Sequence, residues 1–171
     1  MPPPAVFLVG FMGVGKTTTG RLLAPILGCD FLDLDDLIVA ADGRPIPRIL
    51  AESGEPFFRE TERRLLAELD RDQPLVVACG GGTYAHAPSR RVIDAAGTAV
   101  WLQLPLVIAL ERCGAGEGRP LLRDPEQARA LYAARLPAYR AAALHVDVEG
   151  LTPDEAAARV AERLPAGWPL P

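Results

Sequence analysis

Eight residues near the N-terminus, Gly10-Phe11-Met12-Gly13-Val14-Gly15-Lys16-Thr17, follow the pattern G-x-x-x-x-G-K-[ST]. Glycines at this spacing let successive backbone N–H groups curl inward around an oxyanion. A helix beginning at Lys16 would add the partial positive charge of its N-terminus. Lys16 then reaches the terminal phosphates of a nucleotide, and the Thr17 hydroxyl is placed to ligate Mg²⁺. The phosphate-binding set this predicts is Gly13, Val14, Gly15, Lys16, Thr17 and Thr18. A glycine-rich turn with a surface lysine is the plain alternative. Context weighs against it, because an apolar run precedes the loop and an amphipathic stretch follows it.

Other residues could complete a reaction at such a loop. Asp33 and Asp35 alternate along a segment that reads as extended, so they can share a face. Beside a nucleotide, one carboxylate suits a metal-bound water and the other suits the proton of an attacking hydroxyl. The same pair also suits the N-terminus of a following helix, and the two readings are compatible. Gly80-Gly81-Gly82 ends an apolar run, where three glycines allow a ligand to approach the backbone. Arg119 lies in a polar, glycine-containing stretch with the form of a lid that closes over phosphate. Taken alone, Arg59 reads as a surface arginine that could pair with Glu62, and Arg135 as a helix-end cation. Two absences narrow the class. The chain has no N-K-x-D motif of the kind that reads a guanine base, and the run Leu75–Cys79 ends in glycine rather than in an acid.

These residues need elements to hold them. Apolar runs at Ala5–Gly10, Phe31–Leu34, Leu75–Cys79, Thr98–Gln103 and Leu144–Val148 read as strands. Between them, helical patterns cover Lys16–Leu27, Leu37–Ala41, Pro47–Ser53, Pro56–Leu69, Pro88–Ala96, Pro105–Cys113 and Pro125–Leu136. The last of these is expected to stop before Pro137. Thr152 caps a final helix opening at Pro153, and the tail after Leu164 is expected to fray. Alternation of this kind implies a three-layer α/β/α domain around a five-stranded parallel sheet. Ligands then sit beyond the C-terminal ends of the strands, where Gly10–Thr17, Asp33–Asp35 and Gly80–Gly82 all fall.

Composition sets the outer limits. With 171 residues and 49% hydrophobic content, the chain suits one folded domain spanning 1–171. A net charge of −4 argues against broad contact with nucleic acid, so an anion site must be local. No apolar run is long enough to span a bilayer, and the N-terminus lacks the basic region of a signal peptide. The three cysteines are scattered and no C-x-x-C pair exists, which disfavours a disulfide framework or a zinc site. A cytoplasmic enzyme that contacts neither nucleic acid nor membrane is the expectation.

In order along the chain stand Gly10–Thr17, Asp33-Leu34-Asp35, Gly54-Glu55-Pro56-Phe57-Phe58-Arg59-Glu60-Thr61-Glu62, Gly80–Gly82, Arg119-Pro120-Leu121-Leu122 and Arg135-Leu136-Pro137-Ala138-Tyr139. This succession resembles the shikimate kinases, P-loop enzymes of the nucleoside-monophosphate-kinase type, over most of the chain. The resemblance implies transfer of a phosphoryl group from ATP to the 3-hydroxyl of shikimate, with Mg²⁺, on the route to chorismate and the aromatic amino acids. It implies Asp35, Lys16 and Arg119 as catalytic residues. Asp35, Arg59, Arg135, Gly80, Gly81 and Gly82 become the contacts to shikimate. Arg112, Arg119 and Pro153 join the loop in holding ATP, and Thr17 with Asp33 (through water) serve the metal. A lid at about 114–124, an acceptor-binding region at about 35–64 and a monomer are further implications. A related small-molecule kinase, such as a gluconate kinase, is the rival within the fold. A nucleotide-binding module without catalysis is the rival outside it.

Overall fold

The computed structural model of the chain describes residues 5–70, 72–114, 124–166 and 168. Five parallel strands form one sheet in the order β2-β3-β1-β4-β5. The strands are β1 (Ala5–Val9), β2 (Asp30–Asp33), β3 (Leu75–Ala78), β4 (Gly97–Gln103) and β5 (Leu144–Asp147). The helices are α1 (Lys16–Leu27), α2 (Leu34–Asp42), α3 (Ile46–Ala67), α4 (Ala87–Ala96), α5 (Leu106–Cys113), α6 (Pro125–Arg140) and α7 (Pro153–Arg163).

The burial of each strand follows from its place. Every residue of β1 and β3 is buried, as a strand covered by helices on both faces requires, and both sequences are continuously apolar. The edge strands β2 and β5 are partly exposed and carry polar residues. Central β1 is flanked by β3 and β4, so the chain segments leaving β1 and β3 emerge side by side. In the β2–β3 register Asp33 stands beside Ala78, two residues before Gly80. The topology alone thus gathers the loop after β1, the carboxylate after β2 and the glycines after β3 at one rim.

Local chemistry explains most helix boundaries. Asp33 caps α2 by accepting the Asp35 N–H, and Asp124 caps α6 in the same manner. Thr152 and Glu155 form a reciprocal capping box on α7, which lies against α1. Helix α3 carries the two helical segments expected at Pro47–Ser53 and Pro56–Leu69, parted at Gly54 by non-helical backbone (φ 82°, ψ 166°).

Three expectations need correction. The helix α2 begins at Leu34, so Asp35 lies in a first helical turn and does not share a strand face with Asp33. Helix α6 does not stop at Leu136 but continues to Arg140 with Pro137 inside it. Proline removes one backbone donor there, but the next turn buries Ala138 and Tyr139, and that packing holds the helix together. The tail is not wholly frayed, because Trp168 is buried against the core.

Candidate functional site

The loop after β1 is a backbone structure. Gly13 has φ +80°, and a Cβ on it would collide with the Ala109 carbonyl and meet the Cys113 Sγ at 2.7 Å. Packing of α5 beneath the loop therefore excludes a side chain here as firmly as the dihedral does. Helix α1 starts at Lys16, directly after Gly15, and aims its N-terminus at the loop. The Lys16 Nζ donates to the carbonyls of Gly10 (2.6 Å) and Phe11 (2.9 Å), folding the ammonium over the loop.

Thr17 and Asp33 join the loop to the next segment. The Thr17 Oγ1 donates to Asp33 Oδ2 at 2.6 Å, while Asp33 Oδ1 accepts the Asp35 N–H at 2.9 Å. One carboxylate thus caps α2 and holds the hydroxyl at the start of α1. Both side chains offer hard oxygen donors, which is the chemistry Mg²⁺ takes. Among the described residues no cluster of three or more His, Cys, Asp or Glu side chains could hold a metal by itself. Mg²⁺ bound at Thr17 and Asp33 would fit as an ion sharing its shell with phosphate and water.

Asp35 faces the loop from the other side. Its carboxyl is pushed up to about 6, first by burial, then by the neighbouring charges of Asp33 and Glu62, with Lys16 opposing. A Cβ on Gly80 would lie 3.2 Å from Asp35 Oδ1, so the carboxylate abuts the glycine turn. Cys79, next to Gly80, is buried and its thiol is pushed up by burial, which leaves it an inert wall.

The two arginines meet at the same turn. A Cβ on Gly82 would collide with the Arg59 Nη2 and lie 2.9 Å from the Arg135 Nη2. On Gly81 it would lie 3.2 Å from the Arg135 Nη1 and 3.6 Å from the Met12 N of the phosphate loop. At Gly82 two guanidinium groups occupy the space a side chain would take, so any substitution there would have to displace them. Arg59 makes the pairing with Glu62 that their spacing suggested, at 2.9 Å, but not at the surface: its side chain is 15% exposed and Glu62 is fully buried. Glu62 accepts from the Thr83 hydroxyl at 2.8 Å through its other oxygen. Arg135 lies over the Phe11 ring, 5.9 Å from its centroid.

A cavity of about 830 Å³ opens at this rim. Gly13, Val14, Gly15, Lys16, Thr17, Thr18, Asp33, Asp35, Gly80 and Gly81 line it, and so do Arg112 and Pro153 from α5 and α7. Arg59, Arg135 and Gly82 lie at the adjoining glycine turn rather than in that lining. Arg119 and all but the two ends of the 114–124 lid fall outside the described residues.

Three side chains that hold this rim together escaped the sequence reading as site residues: Glu62, Thr83 and Tyr139. Glu62 stands three residues after Arg59, the helical spacing that brings two side chains together. Tyr139 stands four after Arg135, and its hydroxyl donates to the Gly81 carbonyl at 2.5 Å. Nothing in the sequence marks Thr83.

The shikimate kinase family model matches residues 12–165. A shikimate kinase of Caulobacter vibrioides (strain NA1000 / CB15N) is 42% identical over 151 residues, covering 86% of this chain and 75% of that protein. One from Moorella thermoacetica is 39% identical over 166 residues and covers 96% of both. Among solved structures, the shikimate kinase from Acinetobacter baumannii in complex with shikimate is 36% identical. It superposes with a TM-score of 0.87 over 94% of this chain and 92% of that one. A gluconokinase from Sinorhizobium meliloti 1021 reaches a TM-score of 0.55 at 20% identity, a likeness of fold alone.

Proposed function

The chain belongs to the shikimate kinase family, and on that footing we propose how its residues divide the work of phosphorylating shikimate with ATP. The enzyme is a kinase with shikimate as acceptor; the gluconate alternative has only the fold in its favour. One observation carries the residue assignment. Two guanidinium groups and the Asp35 carboxylate converge on Gly80–Gly82, directly beside the phosphate loop.

Shikimate is a small carboxylic acid with three hydroxyls. Its carboxylate suits the paired forks of Arg59 and Arg135. Held there, the molecule presents its 3-hydroxyl to Asp35. As the hydroxyl oxygen bonds to the γ-phosphorus, the bond to the bridging oxygen breaks, the proton passes to Asp35 and ADP leaves. A carboxyl near 6 is mostly ionised at neutral pH yet more basic than an ordinary aspartate, as a general base should be. Lys16 neutralises charge developing on the phosphate oxygens. Arg119, assigned from the sequence resemblance, acts with it. Thr17, with Asp33 through water, holds Mg²⁺, which when bound screens the phosphate charge. Arg112 and Pro153 flank the base of ATP from the cavity they line.

We further read the chain as one kinase domain, with an acceptor-binding region at about 35–64 and a lid at about 114–124. It acts as a cytoplasmic monomer on two small molecules. The five strands build one sheet with one core. Cys29, Cys79 and Cys113 are free thiols, and no helix among the described residues is long and apolar enough to cross a membrane.

A coupled ADP-release assay across shikimate, gluconate and nucleoside monophosphates tests the substrate. Turnover with shikimate alone is expected, and comparable turnover with gluconate overturns it. Arg59→Ala and Arg135→Ala should raise the KM for shikimate far more than that for ATP.

A further inference from the structure

The acceptor side of the site depends on where one peptide unit points. The Gly81 carbonyl and the Gly82 N–H belong to the same planar trans unit, so they point in opposite directions. Glycines on both sides leave that unit free to turn unless something holds it. The Tyr139 hydroxyl holds it by donating to the Gly81 carbonyl across 58 residues of sequence. No other hydrogen bond among the described residues goes to that oxygen.

Tyr139 is itself immobilised. It is fully buried, and its ring stacks on Trp101 of β4 with centroids 5.9 Å apart. Burial pushes the phenol up to about 12, so the O–H keeps its proton through the physiological range. Arg135 lies one helical turn earlier on α6 and reaches Gly81 and Gly82 with its two terminal nitrogens. The same anchored turn therefore places a guanidinium and a backbone unit of the acceptor pocket. Packing on Trp101 alone would be served equally by phenylalanine, so the hydroxyl has a separate task.

We propose that Tyr139 is a positioning residue for the acceptor, fixing the Gly81–Gly82 peptide so that shikimate meets an ordered turn beside Arg59 and Arg135. This rests on the reading of that turn as the acceptor site. Tyr139 touches neither reacting atom and leaves the phosphate loop to itself.

Steady-state kinetics of Tyr139→Phe in the full-length enzyme tests it. Loss of one buried neutral hydrogen bond should raise the KM for shikimate roughly fivefold to twentyfold. The KM for ATP should stay within about twofold, since the phosphate loop keeps its own bonds. Replacing Tyr139 by 3-fluorotyrosine, which retains both ring and hydroxyl, should restore the shikimate KM. An unchanged shikimate KM in Tyr139→Phe overturns the proposal. So does an equal rise in both KM values with a fall in Tm, which is the signature of a purely structural tyrosine. Should Tyr139→Phe fail to fold, 2,3,5-trifluorotyrosine at position 139 decides. Three ring fluorines acidify the phenol far enough to bring one raised to about 12 into the alkaline assay range, so its shikimate KM should climb with pH where the wild type stays flat; a flat profile there overturns the proposal. Arg135→Ala in the same assay separates the two readings. If it leaves the shikimate KM unchanged, the acceptor site itself is misassigned, whereas failure of Tyr139→Phe alone removes only this inference.

Discussion

The phosphate loop and the acceptor pocket share one rim yet are built on opposite plans. The loop is a single run of eight residues whose working parts are backbone N–H groups, one helix N-terminus and one lysine. The proposed acceptor pocket draws on α2, α3, the turn after β3 and α6, and its working parts are side chains gathered around one glycine turn. A backbone site closes on itself, as the Lys16 bonds to Gly10 and Phe11 illustrate. A side-chain site must be held from behind. Glu62 holds Arg59, Thr83 holds Glu62, and Tyr139 holds the glycine turn. The cost of that second plan is buried charge: Glu62 is wholly enclosed, and Asp35 is crowded by three other carboxylates, Asp33 and Glu62 foremost.

The contrast is sharpest in catalysis. Asp35→Asn removes the proposed proton acceptor and should lower kcat by about 10²–10⁴. Lys16→Ala removes a charge from the cradle and should lower kcat by about 10²–10³, with the KM for shikimate little changed. Steady-state kinetics separates them, and a Lys16→Ala protein that lost shikimate affinity instead would blur the division between the two regions.

Next in size is the split between the two arginines. Arg59→Ala leaves Glu62 buried without its partner, so unfolding in urea should show a loss of about 3–5 kcal/mol. Arg135 has a ring beneath it rather than a buried acid, and Arg135→Ala should cost about 1 kcal/mol or less. Both should still weaken shikimate binding. Equal stability losses would mean that Glu62 is satisfied without Arg59.

A smaller effect concerns pH. Because the Asp35 carboxyl is raised in the folded state from its ordinary value of 3.8 to about 6, the folded chain binds more protons than the unfolded chain between those values. That contribution to stability is fully present below the unfolded value and is lost as pH rises through about 6. Asp35→Asn should therefore be more stable than wild type at pH 7 by roughly 1–3 kcal/mol, with the gain vanishing near pH 4. Chemical denaturation at the two pH values checks the sign. In the wild type, kcat/KM should fall as pH drops below about 6. No gain of stability in Asp35→Asn would show that the pocket solvates its carboxylate better than its burial suggests.

How much could be read from the chain depended on whether a feature was local. The phosphate loop was legible because spacing, strand and helix all lie within some twenty-five consecutive residues. Helix ends followed wherever a side chain caps its own backbone, as Asp124 and Thr152 do. Asp35 was misplaced on a strand face shared with Asp33, because the Asp33 carboxylate that ends β2 also caps α2 earlier than expected, and a cap and an extended residue look alike in sequence. Pro137 misled for a related reason. Its local preference to end a helix was outweighed by the burial of Ala138 and Tyr139 beyond it. The pairing of Arg59 with Glu62 was legible from their spacing but its burial was not, because the complete enclosure of Glu62 is a property of the packed sheet and helices.

By itself the sequence determined the alternation of strands and helices, the phosphate cradle and, through its ordered motifs, the family. Those depend on periodicity, backbone freedom and short-range spacing, which travel with the chain. Only the tertiary structure decided the strand order that sets β3 beside β1, the meeting of Arg59 with Arg135 at Gly82, and the reach of Tyr139 across 58 residues of sequence to Gly81. Contacts between residues far apart in sequence exist only once the hydrophobic sheet has closed. No local preference encodes them, because the free energy that holds them comes from surfaces the unfolded chain does not bring together.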